Sequence, residues 1–144
     1  MAEPVTLSGE SVQTLSSTHS RCIDAAPVLR LFHHNIYECG RGVRGLFLMT
    51  LSRQELELVL GKLERQGVHH FVQELNPIKV NLFFGRPAFV AVARSIITRP
   101  LNALTPEEDF MLGTLLGYDR EQQCRRFLTR SGQCMPEEPP LAAE

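Results

Sequence analysis

The sequence LFLMTLSRQELELVLGKLERQG, residues 46–67, contains the clearest structural signals in the chain. Its first six residues are apolar on both sides of an extended chain, which is typical of a strand that is covered on both faces or is central in its sheet. Ser52 and Glu55 have the spacing of a capping box, which predicts the start of a helix. One face of this helix carries the apolar residues Leu56, Val59, Leu60 and Leu63. Gly67 is placed to end it, so the stretch predicts a strand followed directly by a helix.

The residues before this stretch alternate in polarity. Over residues 29–37, an extended chain would carry Phe32, His34 and Ile36 on one side, and this period of two predicts a strand. Residues 39–44 follow with two glycines, which suit a turn. This strand and the next one therefore predict a hairpin with a longer loop.

Two more strands and three helices are predicted after Gly67. The strands cover residues 68–75 and 78–84, with a tight turn between them. Pro87 suits the first turn of a helix that ends before Pro100. The predicted apolar face of this helix carries Phe89, Val92, Ala93, Ile96 and Ile97. Thr105 and Glu108 form a second capping box, and Asp119 can cap a last helix, whose predicted inner face carries Cys124, Phe127 and Leu128.

These elements predict an α+β fold of two layers. The expected sheet has about four mainly antiparallel strands, in the order ββαββα, with the helices on one face and a helical hairpin at the C-terminal end. This arrangement satisfies the order of elements with short connections.

Composition divides the chain into three parts. Residues 28–130 hold 14 basic and 10 acidic side chains, a net charge of plus four, and we predict that they form a single α+β domain. Residues 1–27 are rich in Ser, Thr and Gln, whereas residues 131–144 are acidic and rich in proline. Neither end has periodic apolar residues, so both are predicted to be disordered tails.

The composition also excludes several classes of protein. The whole chain holds 15 basic and 16 acidic residues, which argues against a nucleic-acid binder. No apolar run approaches the roughly 20 residues that span a bilayer, and the N-terminal residues lack the apolar core of a secretory signal. The four cysteines have neither a CxxC pair nor metal-finger spacing. We therefore expect a cytoplasmic protein with free thiols that binds neither nucleic acid nor a membrane.

Several segments resemble an uncharacterised bacterial domain-of-unknown-function family of small α+β proteins. They are residues 33–38 (HHNIYE), 42–50 (GVRGLFLMT), 63–67 (LERQG), 81–85 (NLFFG), 105–113 (TPEEDFMLG) and 116–119 (LGYD). The resemblance covers about residues 30 to 130. Members of this family are encoded near flavodoxin genes, so the resemblance implies flavodoxin as a partner. It implies no catalytic residue, because none is established for the family.

Two pairs of adjacent histidines could hold a metal or haem. His33 and His34 lie in one predicted strand, and His69 and His70 lie in another. Adjacent residues of a strand point to opposite faces, so one histidine of each pair could share a face if the strands are neighbours. A complete metal site normally needs three or four ligands, and the candidates to complete it are Cys39, Glu38 and Glu74. The competing interpretation is that these histidines are hydrogen-bonded or solvated structural residues.

Cys39 is the candidate nucleophile of a third hypothesis, a thiol-dependent enzyme. The neighbouring Arg41 and Arg44 would favour the thiolate. However, Arg44 is one residue short of the spacing of phosphate-cradling CxxxxxR loops, and a strand rather than a helix is predicted to follow. An ordinary turn cysteine is the competing interpretation.

The leading hypothesis is a non-enzymatic module that binds an acidic protein. Thirteen of the basic residues are arginines, whose guanidinium groups fit carboxylates. The predicted docking residues, chosen by charge and predicted exposure, are Arg41, Arg44, Arg86, Arg125 and Arg126. Flavodoxins are acidic electron carriers, so a basic face would favour their encounter with this domain. A metal or haem protein of iron or redox homeostasis is the first alternative, and no cofactor is assigned to the leading hypothesis.

Overall fold

The computed structural model describes residues 25–140. Its elements in chain order are helix α1 (Ala26–Gly40), strand β1 (Leu46–Ser52), helix α2 (Arg53–Gln66), strands β2 (His69–Glu74) and β3 (Lys79–Gly85), helix α3 (Pro87–Ile96), a short 3-10 helix (Leu101–Ala103), and helices α4 (Pro106–Leu115) and α5 (Arg120–Arg130). The fold is therefore α+β, as predicted. The described residues form three strands in one sheet, and the prediction of four strands was wrong.

The sheet is antiparallel and has the order β1-β3-β2, with β3 in the centre. Gly85 at the end of β3 lies opposite Leu46 on one side and opposite His69 on the other. The starts of β1 and β2 and the end of β3 therefore meet at the same end of the sheet. Helix α1 ends at Gly40, just before the loop to β1, so its C-terminus reaches this end as well.

Helices cover both faces of the sheet, so the prediction of two layers with helices on one face was wrong. One core cluster joins α1 and α2 to the sheet through Phe32, Phe47, Met49, Leu51, Val59, Leu63, Val80, Leu82 and Phe84. The other cluster joins the opposite face to α3 and α4 through Leu46, Phe83, Val90, Ala93, Leu104, Leu112 and Leu116. The continuous apolar run of β1 is explained by this double cover, although β1 is an edge strand.

The first predicted strand is a helix. Residues 29–37 belong to α1, which has Pro27 in its first turn, a position that proline favours. Phe32 and Asn35 are buried, whereas His34 is exposed. A spacing of three to four residues between buried positions is that of a helix, and it replaces the alternation that the polarity pattern predicted.

The remaining elements follow their local signals. Ser52 and Thr105 make the two predicted capping boxes, and the side chain of Asp119 accepts a hydrogen bond from the Gln122 amide at the start of α5. Gly67 ends α2 in the left-handed conformation, with φ of 65°. These predictions are confirmed because each depends on a few neighbouring residues.

The predicted tails fall mainly at the edges of the described region. Most of the predicted N-terminal tail, residues 1–24, lies outside the described residues, and so do residues 141–144. Residues 131–140 contain no helix or strand. Within residues 25–140, no helix has both the length and the apolar character that a membrane crossing requires.

Candidate functional site

The first three predicted docking residues, Arg41, Arg44 and Arg86, lie at the end of the sheet where β1 begins and β3 ends, and we call them the arginine end. Gly85 has a φ of 152°, and a Cβ on it would overlap the carbonyl oxygen of Gly45. The amide of Arg86 donates to that same carbonyl over 2.9 Å. The two glycines therefore bring the start of α3 against the loop that leads into β1.

Arg86 lies directly against this loop. A Cβ built on Gly42, the neighbour of Arg41, would be only 3.3 Å from Nη2 of Arg86. Gly42 also has a φ of 72°, so its conformation and the space around it both favour glycine. The fold thus places Arg86 next to the residue that follows Arg41, although 45 positions separate the two arginines in the sequence.

Arg86 occupies the N-cap position of α3 without capping it. Its backbone has φ of −69° and ψ of 143°, close to the values of the capping residue Ser52, which are −69° and 161°. No side chain accepts a hydrogen bond from the first turn of α3, whereas Ser52, Thr105 and Asp119 cap their helices in this way. An arginine therefore stands where serine, threonine or aspartate would stabilise the helix.

Arg44 is engaged within the protein. Its Nε and Nη2 donate to Oε2 of Glu38 over 3.0 and 2.6 Å, and its guanidinium lies 4.7 Å above the ring of Phe47. The hydrogen bond from Arg44 is the main reason why the pKa of Glu38 lies below its usual value, and His34, 3.3 Å away, adds to this effect. Arg44 thus contributes a charge that Glu38 balances.

Arg125 and Arg126 lie apart from the arginine end, on α5. Arg125 pairs with Glu121 over 2.9 Å and also with Glu138. Arg126 donates to both carboxylate oxygens of Asp109 over 2.7 and 3.2 Å, which fixes α5 to α4. Both guanidinium groups are therefore occupied by carboxylates of the same chain.

Asp109 is the centre of this attachment between helices. Its carboxylate also lies 3.0 Å from Nη1 of Arg130, and its side chain is only 15% exposed. Burial alone would raise the pKa of Asp109, but the hydrogen bonds and charges of Arg126 and Arg130 outweigh this effect and lower it. The ionised form of Asp109 is thus the one that the fold stabilises.

Arg41 and Arg86 differ from the other predicted docking residues. Both are exposed, and neither has a carboxylate partner among residues 25–140. The guanidinium of Arg41 lies 5.7 Å from the ring centre of Tyr37. The arginine end therefore carries two guanidinium groups that no carboxylate of residues 25–140 neutralises. These groups can donate hydrogen bonds to a carboxylate or phosphate of another molecule.

The prediction that both histidine pairs lie in strands was wrong for the first pair. His33 and His34 are exposed residues of α1, whereas His69 and His70 belong to β2. Nδ1 of His70 lies 3.0 Å from the carbonyl oxygen of Val68, and His34 pairs with Glu38. Within the described part of the chain, no three histidine, cysteine, aspartate or glutamate side chains gather in a way that could hold a metal ion.

Cys39 is in the last turn of α1 and not in the loop where it was predicted. It is half-buried and packs against the core cluster that contains Phe32. Since the thiol borders apolar side chains, its surroundings are those of a structural cysteine. Among residues 25–140, the contacts of Cys39 give the thiol-enzyme hypothesis no support.

Sequence reasoning selected Arg41 and Arg86 but missed their proximity. A local signal for Arg86 was present, because arginine directly before the first proline of a helix is an unfavourable N-cap. The proximity to the Gly42 loop left no such signal, because it depends on the approach of Gly45 to Gly85.

Comparison with known proteins adds one finding. No curated protein matches the chain. Residues 30–130 match the family model described as "Protein of unknown function (DUF2023)", and this range agrees with the extent of the resemblance noted in the sequence. The chain belongs to this family of proteins of unknown function.

Proposed function

We propose that this domain is a non-enzymatic module that binds an acidic protein partner through the arginine end, and that the partner is a flavodoxin. The observation that carries the proposal is the pair of exposed guanidinium groups of Arg41 and Arg86, neither with a carboxylate partner among residues 25–140, at one end of the sheet. A flavodoxin is an acidic electron carrier, and the family resemblance implies it as the partner.

The capping position of α3 supports this proposal. Replacing a capping side chain by one that cannot cap typically costs about 1 kcal/mol of stability. Position 86 is occupied by arginine, although its backbone there already has the geometry of a cap. A residue that breaks a local rule for stability is expected at a functional site.

The paired arginines have a different role in this proposal. Arg44 with Glu38, and Arg126 with Asp109, hold elements of the same chain together. They add little net charge to an encounter with a partner, because each cation is balanced by a neighbouring carboxylate. We therefore assign recognition to Arg41 and Arg86 and exclude Arg125 and Arg126 from the proposed docking residues.

The test is binding of purified flavodoxin to the full chain, measured by calorimetry at increasing salt concentration. Exposed charges are screened over about 8–10 Å near physiological ionic strength, so the affinity should fall as salt rises. The double variant Arg41→Glu, Arg86→Glu should bind at least about tenfold more weakly at low salt, because steering and complementarity are both lost.

The matched control is the double variant Arg30→Glu, Lys79→Glu. It changes the net charge by the same amount, but Lys79 is at the opposite end of β3, about 20 Å from Gly85 at the rise of a strand. Arg30 is about 15 Å from the end of α1 at the rise of a helix. Equal effects of the two double variants would show that only total charge matters and would refute the proposed site. Absence of binding at low salt would refute flavodoxin as the partner.

A further inference from the structure

Helices α3, α4 and α5 leave an apolar surface on the side that faces away from the sheet. A groove between α4 and α5 and the adjoining depressions toward α3 form one continuous surface. We call it the outer apolar face, and its main residues are Val92, Phe110, Met111, Leu115, Phe127 and Leu128.

The side chains of the outer apolar face are more exposed to solvent than those of a protein core. Val92 is 41% exposed and Met111 is 47% exposed, and the rings of Phe110 and Phe127 meet edge to face at the floor of the groove. On the predicted apolar face of α3, Ala93 and Ile96 are buried as expected, whereas Val92 is exposed. In α5 the buried residue is Gln123, and the predicted inward residues Phe127 and Leu128 are only half-buried. Part of the predicted core therefore lies on the surface of the single chain.

The charges at the ends of the face make it complementary to itself. Glu107, at the start of α4, lines one end of the groove. Arg120, at the start of α5, is one helical turn before Cys124 of the groove and so lies toward the other end. Neither Glu107 nor Arg120 has an ion-pair partner among the described residues, whereas the nearby Glu121 is paired with Arg125.

The size of the face fits a modest interface. Helices of 10 or 11 residues are about 15 Å long, and three of them side by side are about 30 Å wide, which gives an outline of about 450 Å². Each partner of a standard interface buries about 800 Å². The face is therefore smaller than a standard interface and suits a weak association that depends on protein concentration.

We propose that the occupant of the outer apolar face is a second copy of this chain, related by a two-fold axis that lies in the plane of the interface and is perpendicular to α4. This axis makes the two α4 helices antiparallel and sets Glu107 of each copy against Arg120 of the other. A two-fold pairing uses the same patch on both copies and closes the assembly at two chains. The proposal is independent of the arginine end, because Arg41 and Arg86 are not part of the face.

The first experiment is sedimentation equilibrium of the full chain at concentrations from about 1 to 200 µM. The expected mass at the upper limit is twice the 16.2 kDa of one chain. Met111→Lys should remain a monomer over this range, since it places a charge in the centre of the interface. Leu58→Lys is the matched control, because Leu58 is a helical residue of α2 with nearly the same exposure, 49%, and this variant should still form dimers.

A charge exchange tests the orientation of the two copies. Glu107→Arg and Arg120→Glu should each weaken the dimer at least about threefold at low salt, and the double variant should restore the affinity of the wild type. Cys124 supplies a second readout, because its alkylation, followed by peptide mass spectrometry, should slow as the protein concentration rises. A monomeric wild type at 200 µM, as expected if another protein or no molecule covers the face, would overturn the proposal. A dimer that Met111→Lys leaves intact, or a double variant without recovery, would overturn the proposed interface.

Discussion

Replacing Arg86 by serine should make the protein more stable and a weaker binder at the same time. The backbone of Arg86 already has N-cap geometry, so the serine Oγ could accept a hydrogen bond from the first turn of α3 without rearrangement. A gained cap is worth about 1 kcal/mol, which for a domain of this size raises the melting temperature by about 4 °C.

The assay combines thermal unfolding, followed by circular dichroism, with flavodoxin binding at low salt. Arg41→Ser is the matched control, because Arg41 follows the C-terminal end of α1, where serine makes no N-cap. We expect Arg41→Ser to weaken binding without raising the melting temperature. A destabilised Arg86→Ser variant would show that the contact of Arg86 with the Gly42 loop outweighs a cap. Unchanged binding by this variant would refute the functional role of Arg86.

Two further predictions concern the attachment of α5 to α4. The folded state lowers the pKa of Asp109, so its contribution to stability is present at neutral pH and is lost as the pH falls below about 4. Asp109→Asn should therefore reduce the free energy of unfolding at pH 7 by about 1–3 kcal/mol, because Arg130 Nη1 is buried without another partner. The same variant should flatten the pH dependence of urea unfolding on the acid side of this limit. Gly113→Ala should cost no more than about 1 kcal/mol in the same assay, because its Cβ would overlap the movable end of the Gln123 side chain while alanine regains helix propensity, and Gln123→Ala should recover this loss when the two are combined. An unchanged acid transition in Asp109→Asn, or no recovery in the double variant, would contradict these assignments.

The sequence was sufficient where structure depends on a few neighbouring residues. The cap of α2 requires only Ser52 and Glu55, and the turn between β2 and β3 requires Asn76, whose Oδ1 accepts hydrogen bonds from the amides of Ile78 and Lys79. Such signals predict the ends of helices and strands correctly, because each side chain bonds to backbone amides only a few residues away.

The error in α1 has a physical cause. Residues four apart, such as Phe32 and Ile36, share a side in an extended strand and also in a helix, so the apolar residues alone did not distinguish the two. The deciding positions are His34 and Asn35, since a strand would turn His34 to the side of Phe32, whereas the helix exposes it and buries Asn35. Polarity misled the prediction because the buried residue is an asparagine.

The layer error has a related cause. Both faces of the sheet carry apolar side chains, with Val80, Leu82 and Phe84 on one and Leu46 and Phe83 on the other. Within β3 alone, Phe83 shares its side with the polar residues Lys79 and Asn81. A sheet with helices on one face would expose Phe83 to water, whereas the ring of Phe83 is buried and stacks on Phe71 at 4.8 Å. The apolar character of both sides was visible in the sequence, and it indicates helices on both.

The sequence identified the candidate arginines, but it did not show which of them lie close together or which pair with a carboxylate. This pairing separates the structural arginines from the candidate binding residues. An arginine surplus indicates a binding surface only where the structure shows guanidinium groups without a carboxylate partner in their own chain. Arg44, Arg125 and Arg126 are accounted for by carboxylates of their own chain, so their presence needs no partner. Arg41 and Arg86 make no such pair, and Arg86 occupies a position where a smaller polar residue would stabilise α3. Arg86 forgoes a helix cap on a frame that Gly45 and Gly85 hold in place, and the proposed function accounts for this residue by the partner that it would bind.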